Sequence, residues 1–508
     1  MRDKKFCESH PSEKELQEII LQEKKKGTPD LEIGQKYGVT FRYIEKLITK
    51  SQGINISALK VSKGVKTLYP KDFKEEQTTV WSFKQRGKWA THTGEYRGNW
   101  SPYIPRNVIL KYSKPGETVL DYFCGAGTTA VEAKLLGRKC IAFDINDKAI
   151  ELAKRNLDFH ALSQRQIYEP KLMVGDARNL SFLQDNSIEL ICAHPPYANI
   201  IHYTDFKEGD LSFFDVDEFL EEMVKVAKES FRVLRPGRQC AILIGDMRRR
   251  KHVIPLGFKL INVYLDAGFK LKELVIKRQH NCKTTGFWYT NSIRYNFLLL
   301  AHEYLPIFEK PKLHTPRVKE KTANYGLAFP ISEKLLLKRK LDEFETSTVW
   351  LFSSHEFERR LNKNVIERYS SQNGNYSVLN FISYNEVKNL HSSRKKEKEL
   401  LFIKSSFSSN QISQPDINSY LMKLKNVIIQ ELPDIKKGGF IAIQTRDIRT
   451  DEYLESFAKK AISELEENEN LCLKEIVILT HDEKNSLSEQ KTKNLEISHQ
   501  YLLLYERV

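Results

Sequence analysis

A short turn with two glycines is the first place in the chain where residue types and spacing point to chemistry. Asp121-Tyr-Phe-Cys-Gly-Ala-Gly-Thr-Thr129 lies between a strand-like run and a helical run. Gly125 and Gly127 let the backbone turn sharply and approach a ligand, and the helix that follows offers N–H donors. Asp144 ends the next predicted strand, where a carboxylate can accept hydrogen bonds from ribose hydroxyls. This spacing predicts a site for a ligand that carries a ribose.

Two further segments follow predicted strands and supply polar or aromatic side chains. Asp176, in Gly175-Asp-Ala-Arg178, is placed to hydrogen-bond an adenine edge. In Ala193-His-Pro-Pro-Tyr-Ala-Asn-Ile200, two prolines stiffen a loop and a tyrosine adds an aromatic face that suits stacking on a base. Taken alone, this loop is better explained as an ordinary proline turn that happens to be followed by a tyrosine. All four segments, however, lie at the carboxyl ends of successive strands, where open α/β sheets bind ligands.

The elements that would position these residues alternate between strands and helices. Apolar runs and helical patterns follow one another from residue 117 to residue 245. This alternation predicts an α/β fold with a Rossmann-like, doubly wound parallel sheet. Later apolar runs at 272–276 and 296–305 would complete the edge of that sheet.

The chain also contains an internal repeat. Five segments recur in the same order, namely 79–83 as 348–352, 107–113 as 364–370, 119–120 as 378–379, 237–248 as 438–449 and 302–305 as 499–502. Matches that keep their order along a chain are not expected by chance. Most of the chain is therefore predicted to comprise two copies of one architecture.

The first 55 residues predict a small helical domain. Periodic apolar positions indicate three short helices, and residues 31–47 resemble a helix-turn-helix, whose second helix enters the major groove of DNA. Arg42, Lys46 and Lys50 would lie on the outer side of that helix, where they would contact DNA. A helical cap with solvated lysines is the alternative interpretation.

Composition limits the class of protein. The 508 residues predict about three domains, which we assign to 1–55, 70–310 and 341–508. The apolar runs are shorter than the roughly 18 residues needed to span a bilayer. Seven well-separated cysteines suit a reducing, cytoplasmic compartment and do not predict a metal site. The net charge of +15 favours a polyanionic partner such as nucleic acid.

Residues 100–245 resemble the DNA amino-methyltransferases, which move a methyl group from S-adenosylmethionine to N6 of adenine or N4 of cytosine. The resemblance rests on the helix that begins Tyr103-Ile-Pro-Arg-Asn-Val-Ile109, the D-x-F-x-G-x-G-T turn and the acidic end of the second strand. It implies that S-adenosylmethionine contacts Tyr103, Asp121, Phe123, Gly125, Gly127, Thr128, Asp144 and Asp176.

The catalytic tetrapeptide of that family normally begins with Asp, Asn or Ser before Pro-Pro-Tyr, whereas here it is His194-Pro195-Pro196-Tyr197. The resemblance implies that the first side chain accepts a hydrogen bond from the target amino group. It also implies that Tyr197 stacks on a base flipped out of the duplex. A neutral His194 can accept such a bond and a protonated one cannot, so we expect activity to fall at acidic pH.

Basic and aromatic residues also interleave between residues 248 and 289. The residues expected to contact nucleic acid are Arg248, Arg249, Arg250, Lys277 and Arg278. A charged surface over a buried aromatic cluster is the alternative.

The second copy keeps the framework and loses the chemistry. Asn380 replaces Asp121, Phe381-Ile-Ser-Tyr384 replaces the glycine turn, and no Pro-Pro-Tyr remains. We therefore expect this copy to bind no S-adenosylmethionine, and to act as an internal pseudo-dimer partner or to grip the non-target strand.

These observations support a site-specific methyltransferase of double-stranded DNA, in a restriction-modification or defence system with a cognate nuclease. An RNA amino-methyltransferase is one alternative, and the helix-turn-helix argues against it. A catalytically inactive DNA-binding regulator is the other, and the intact glycines and acidic residues argue against it.

Overall fold

A computed structural model provides the coordinates. The structure describes residues 13–26, 28–39, 43–44, 47, 67–94, 96–159, 166–205, 207–249, 251–280, 286–312, 344–371, 373–381, 387–392, 397–405, 414–450, 452–481 and 494–508. The chain forms two compact units, the first of residues 1–74 and 85–235 and the second of residues 75–84 and 236–508. Within the described residues, none of the helices has the length and apolar character required to cross a membrane.

The helices are α1 (Glu13–Lys26), α2 (Asp30–Tyr37), α3 (Tyr103–Tyr112), α4 (Thr128–Leu135), α5 (Asp147–Leu157), α6 (Val216–Val233), α7 (Leu256–Asp266), α8 (Gly286–Arg294), α9 (Phe357–Tyr369), α10 (Gln414–Glu431) and α11 (Phe457–Leu465). The strands are β1 (Val80–Ser82), β2 (Thr118–Asp121), β3 (Lys139–Asp144), β4 (Lys171–Val174), β5 (Ile188–Ala193), β6 (Leu234–Ile242), β7 (Met247–Arg249), β8 (His252–Ile254), β9 (Lys270–Arg278), β10 (His302–Glu309), β11 (Val349–Phe352), β12 (Tyr376–Phe381), β13 (Val387–Ser392), β14 (Lys398–Ser405), β15 (Ile435–Thr445), β16 (Ile448–Thr450), β17 (Tyr453–Glu455), β18 (Leu471–His481) and β19 (His499–Arg507).

The N-terminal part of the first unit contains two of the three predicted helices. α2 ends at Tyr37, and Gly38 follows with a φ of 65°, the left-handed conformation that commonly closes a helix. Ile20 on α1 and Ile33 on α2 are buried against Ile44 and Leu47. The basic residues predicted to contact DNA from the third helix, Arg42, Lys46 and Lys50, lie outside the described residues.

The sheet of the first unit is parallel, as the alternating pattern predicts. Its strands lie in the order β5-β2-β3-β4, and α4 and α5 connect β2 to β3 and β3 to β4. The chain runs outward from β2 to β4 and then returns to add β5 on the other side of β2. The order therefore reverses between β2 and β5, and such a reversal opens a crevice at the carboxyl ends of the strands.

A buried carboxylate holds the segment before α3 against α4. Glu132 on α4 is fully buried and accepts hydrogen bonds from Trp89 Nε1 at 2.6 Å and Arg106 Nη1 at 2.8 Å. His92 Nε2 lies 2.8 Å from the same carboxylate. A buried charge requires partners of this kind because it has lost its hydration. The segment that carries Trp89 and His92 is thereby fixed to the helix that follows the glycine turn.

The second unit repeats one strand order twice, which confirms the internal repeat. In the first copy β1 is parallel to β9, and β10 is antiparallel to β9 and to β6. In the second copy β11 is parallel to β18, and β19 is antiparallel to β18 and to β15. The division between the units falls inside β6.

The second copy departs from the first where the cofactor turn would lie. β12 is parallel to β14, as expected for the equivalent of β2, but its other neighbour is the antiparallel strand β13. The first unit has the parallel strand β3 at that position. The short return from β12 to β13 thus replaces the glycine turn, its helix and the strand that carries Asp144.

The Glu132 network yields a stability prediction. Glu132→Ala leaves the buried Arg106 without its carboxylate partner, so we expect the free energy of unfolding to fall by roughly 3–5 kcal/mol in urea titrations. Glu151→Ala, on the exposed face of α5, is the matched control and should change it little. Equal unfolding midpoints for Glu132→Ala and the unsubstituted protein would contradict this account of the network.

Candidate active site

A cleft of about 660 Å³, a volume that includes its solvent-open part, lies at the carboxyl ends of β2, β3, β4 and β5. Residues from all four predicted segments line it, namely Phe123, Gly125, Asp144, Asp176, His194 and Pro196. The strand order of the first unit explains this convergence, because parallel neighbours end at the same edge of the sheet. The cleft is therefore the place where the predicted chemistry meets.

The two glycines of the turn have different roles. Gly125 lines the cleft with a φ of 49°, and a Cβ there would lie 2.8 Å from Tyr96 Cε1. Gly127 precedes α4 with a φ of 81°, and a Cβ there would lie 3.0 Å from Ala153 Cβ on α5. Gly127 thus permits the close approach of two helices and is not among the residues that line the cleft.

Asp144 connects the end of β3 to the glycine turn. Its carboxylate accepts hydrogen bonds from the backbone N–H of Gly125 and of Asn146, both at 2.9 Å. Burial raises the pKa of Asp144 to about 6, although these two N–H groups act in the opposite direction. The carboxylate is thus held in one orientation at the wall of the cleft.

Asp121 lies beneath the turn, and the structure does not place it among the residues that line the cleft. Its Oδ1 accepts a hydrogen bond from Phe123 N at 3.1 Å. Burial raises the pKa of Asp121 to about 7, although the backbone N–H of Phe123 acts in the opposite direction. Asp121 therefore supports the backbone of the turn through this hydrogen bond.

Asp176 reaches the cleft as part of an ion pair. Its carboxylate accepts from Arg178 N at 2.9 Å and pairs with the Arg178 guanidinium at 2.6 Å. Arg178 also pairs with Glu222 on α6 at 2.5 Å. These bonds position Asp176 at the end of β4.

The loop after β5 presents a histidine between two aromatic rings. His194 Nε2 lies 2.9 Å from the Tyr197 hydroxyl, and the imidazole stacks on Trp100 with a centroid distance of 5.5 Å and an angle of 20°. Ala198 follows with a φ of 46°, a left-handed conformation that is costly for a residue other than glycine and is enriched at functional sites. His194 and Pro196 line the cleft, and Pro195 and Tyr197 are not among its lining residues.

The segment before α3 contributes cleft residues that the motif analysis did not identify. Asn99 and Trp100 line the cleft, and their carbonyl groups accept hydrogen bonds from Arg86 at 2.6 and 2.9 Å. Thr128 Oγ1 donates to Asn99 Oδ1 at 2.5 Å. The available signal was the run of aromatic residues between positions 96 and 103, which no motif covers.

Two tyrosines cover the glycine turn. Tyr96 and Tyr203 line the cleft and stack with a centroid distance of 5.8 Å. Tyr96 also packs in an apolar cluster with Ala126, Ala149 and Leu152. This packing gives the cleft an aromatic wall above Gly125.

Two of the side chains expected to contact the cofactor have partners away from the cleft. Tyr103 does not line the cleft, because its ring packs at 4.7 Å from Trp89 and stacks at 6.3 Å from Phe73. Thr128 does not line it either, because its hydroxyl is hydrogen-bonded to Asn99. Both side chains are therefore structural neighbours of the cleft.

The basic residues predicted to contact nucleic acid have different environments. The side chain of Arg248 is mostly buried and forms an ion pair with Glu475 at 2.5 Å. Lys277 pairs with Glu303 at 2.7 Å. Arg249 is exposed, Arg278 is half-buried and Arg250 lies outside the described residues.

Sequence comparison identifies the family. The pattern of the DNA methylase family matches residues 6–155 and 188–399, and a methyltransferase-domain pattern matches residues 113–255. The first match covers well over half of the chain, so the chain belongs to the DNA methylase family. The resemblance inferred from the glycine turn and the His194 loop is thereby confirmed, and so is the Rossmann-like methyltransferase fold. S-adenosylmethionine is the cofactor of this family.

Individual relatives match short parts of the chain. The tRNA (guanine(10)-N2)-dimethyltransferase of Methanothermobacter thermautotrophicus is 31% identical over 104 residues, which are 20% of this chain and 29% of the relative. The type II methyltransferase M2.LlaDCHI of Lactococcus lactis subsp. cremoris is 36% identical over 87 residues, which are 16% of this chain and 31% of the relative. The chain thus spans less than a third of either relative's length. A solved SAM-dependent methyltransferase from Methanosarcina mazei is 18% identical, with a TM-score of 0.29, over 40% of this chain and 97% of its own.

The raised pKa of Asp121 yields a prediction with a defined sign. The folded chain holds the Asp121 proton up to about pH 7, whereas the unfolded chain releases it near the ordinary value of 3.8. Stability is therefore lost as the pH rises from about 4 to 7. Asp121→Asn removes this loss, so the free energy of unfolding of the variant relative to the unsubstituted protein should rise by a few kcal/mol between pH 5 and pH 8.

Urea titrations at the two pH values test this prediction, with Asp158→Asn, at an exposed position, as the control. A difference between Asp121→Asn and the unsubstituted protein that is independent of pH would contradict the burial of an ionisable carboxyl at this position.

Proposed function

We propose that this protein is a site-specific DNA methyltransferase that transfers a methyl group to the exocyclic amino group of a flipped adenine or cytosine. We propose restriction-modification or another defence system as its setting, with a cognate nuclease. One observation carries the proposal: the cleft combines the Gly125 turn and Asp144 with the His194-Pro195-Pro196 loop. A donor site and an acceptor site for the methyl group would thus share one cavity.

The residues of the cleft fit the expected methyl donor. Gly125 allows the turn to pack directly against Tyr96 at the wall of the cleft, and Asp144 and Asp176 are acidic groups at the ends of adjacent strands. Asp144 would hold the ribose, Asp176 the adenine edge, and Phe123 and Gly125 the methionine part. When bound, S-adenosylmethionine supplies the activated methyl group, and the chain contributes alignment and polarity.

His194 would take the role of the Asp, Asn or Ser that begins the family's tetrapeptide. A neutral imidazole can accept a hydrogen bond from the target amino group. Stacking on Trp100 and the hydrogen bond with Tyr197 restrict the orientation of the ring. Both contacts support a histidine that is positioned for one acceptor task.

The positions of Arg249 and Arg278 at the protein surface leave them as candidates for phosphate contacts. The N-terminal helices remain the candidate for major-groove recognition of duplex DNA. RNA is the second candidate substrate, because a matched relative is named as a tRNA dimethyltransferase.

Incubation with isotopically labelled S-adenosylmethionine tests the proposal, with duplex DNA and total tRNA supplied separately and the nucleosides analysed by mass spectrometry. We expect label on N6-methyladenine or N4-methylcytosine of the DNA. Label on RNA alone would replace DNA with RNA as the substrate. The absence of label on both substrates would favour a non-catalytic DNA-binding regulator.

Variants of His194 give a second test. His194→Phe removes the acceptor, so we expect methyl transfer to fall roughly 10²- to 10³-fold with little change in cofactor affinity. His194→Asn restores an acceptor that does not titrate, so we expect it to recover much of the rate. Because histidine titrates between roughly pH 5 and 8, the rate of the unsubstituted protein should fall on the acid side. The same acid-side fall in His194→Asn would remove His194 from this role.

A further inference from the structure

The two copies in the second unit contact each other through equivalent residues. Arg248 of the first copy pairs with Glu475 of the second at 2.5 Å, and Arg449 of the second copy pairs with Glu273 of the first, also at 2.5 Å. Arg248 and Arg449 are equivalent in the repeated segment. Glu273 and Glu475 are equivalent because β9 and β18 pair with β1 and β11 in the same register. The ion pair therefore occurs twice, with the copies exchanged.

The surroundings of the two ion pairs are also duplicated. Both glutamates are fully buried. Glu475 accepts from Leu298 N at 2.9 Å, and Glu273 accepts from Leu495 N at 3.0 Å. Each arginine also donates across the copies to the carbonyl that precedes its glutamate partner. Each buried carboxylate thus accepts hydrogen bonds from the other copy, and removing such partners from a buried charge is strongly destabilising.

A second reciprocal contact joins a threonine of one copy to a histidine of the other. Thr79 Oγ1 lies 2.8 Å from His499 Nδ1, and Thr348 Oγ1 lies 2.8 Å from His302 Nδ1. Each histidine is oriented within its own copy, since Nε2 lies 2.9 Å from the hydroxyl of the tyrosine two residues later.

Those tyrosines extend the duplicated chain of hydrogen bonds. Tyr304 donates to Asp246 and Tyr501 donates to Asp447, both at 3.0 Å. Each network therefore runs from a buried aspartate, through a tyrosine and a histidine, to a threonine of the other copy.

Backbone pairing follows the same exchange. Leu299 accepts from Thr348 N at 2.9 Å and donates to Thr346 O at 3.0 Å. Its equivalent, Glu496, accepts from Thr79 N and donates to Gln77 O, both at 2.9 Å. Contacts in which residue i of one copy meets residue j of the other, and j meets i, define an isologous interface such as that of a two-fold symmetric homodimer.

We propose that the two copies associate as the subunits of a homodimer do. The surface of the first copy that carries the repeated residues binds a second copy of the same architecture, which belongs to the same chain. Self-complementary side-chain and backbone contacts hold the two copies together, and the peptide link between residues 312 and 344 is not required. Buried ion pairs make the pairing specific, because another partner would not present Arg248 and Arg449 to the buried carboxylates of Glu475 and Glu273. This proposal is independent of methyl transfer.

Cleavage of the full chain tests the association. A site-specific protease sequence is introduced between residues 312 and 344, and the cut protein is analysed by size-exclusion chromatography with light scattering at submicromolar concentration. We expect both fragments to elute as one particle with the mass of the intact chain, at low salt and at 1 M NaCl alike. Elution of the soluble fragments as two separate particles would overturn the proposal.

Charge reversal tests the duplicated ion pairs in the same cut protein. Arg248→Glu and Arg449→Glu should each accelerate fragment dissociation by roughly tenfold or more, and by similar factors, because the two pairs are equivalent. The double variant Arg248→Glu with Glu475→Arg should recover part of the loss. Arg249→Glu, at the exposed neighbouring position, is the matched control and should dissociate like the unsubstituted protein.

Milder variants keep the test valid if charge reversal prevents folding. Thr79→Val and Thr348→Val each remove one hydroxyl contact to a histidine of the other copy, and we expect equal accelerations of dissociation. A clear effect in one variant and none in the other would contradict an isologous interface, because its two halves must respond alike.

Discussion

The hydrogen bonds of the buried Asp144 carboxylate are the constraint on which the candidate site depends. One oxygen accepts from Gly125 and the other from Asn146, so the end of β3, the glycine turn and the beginning of α5 are fixed relative to one another. Burial opposes ionisation here, and the backbone N–H groups reduce that cost. The neighbouring strand ends then bring His194 and Asp176 to the same cleft.

In the second unit, the buried charges lie at the contact between the two copies. There the carboxylates of Glu273 and Glu475 face arginines of the opposite copy. The repeated residues Arg248 and Arg449 are retained because each satisfies a carboxylate that is removed from water. Asp121, in contrast, becomes Asn380 in the second copy, where β13 takes the place of the strand that carries Asp144 in the first unit. Both copies carry the residues of the contact between them, whereas the glycine turn occurs in the sequence of the first copy alone.

The sequence predicted the fold and the family wherever a local pattern of residues is compatible with one structure. The alternation of strands and helices predicted the parallel sheet, and the D-x-F-x-G-x-G-T turn and the His194 loop identified the family. The contacts that the sequence did not reveal were those of side chains whose partners lie in other segments of the chain. Tyr103 packs on Trp89, and Arg248 meets Glu475, which is 227 residues away. The aromatic segment that contributes Trp100 belongs to no motif, so its position above His194 could not be predicted.

The sequence by itself determined the order of the elements, the glycine positions that allow a left-handed turn, the acidic residues at strand ends and the existence of a second copy. These properties depend on local backbone preferences and on periodicity, which are written in neighbouring residues. The tertiary structure alone decided which polar groups face the cleft, which are consumed in ion pairs, and how the two copies exchange contacts. These contacts depend on burial, since a charged side chain that is removed from water pairs with whichever group the fold brings within hydrogen-bond distance.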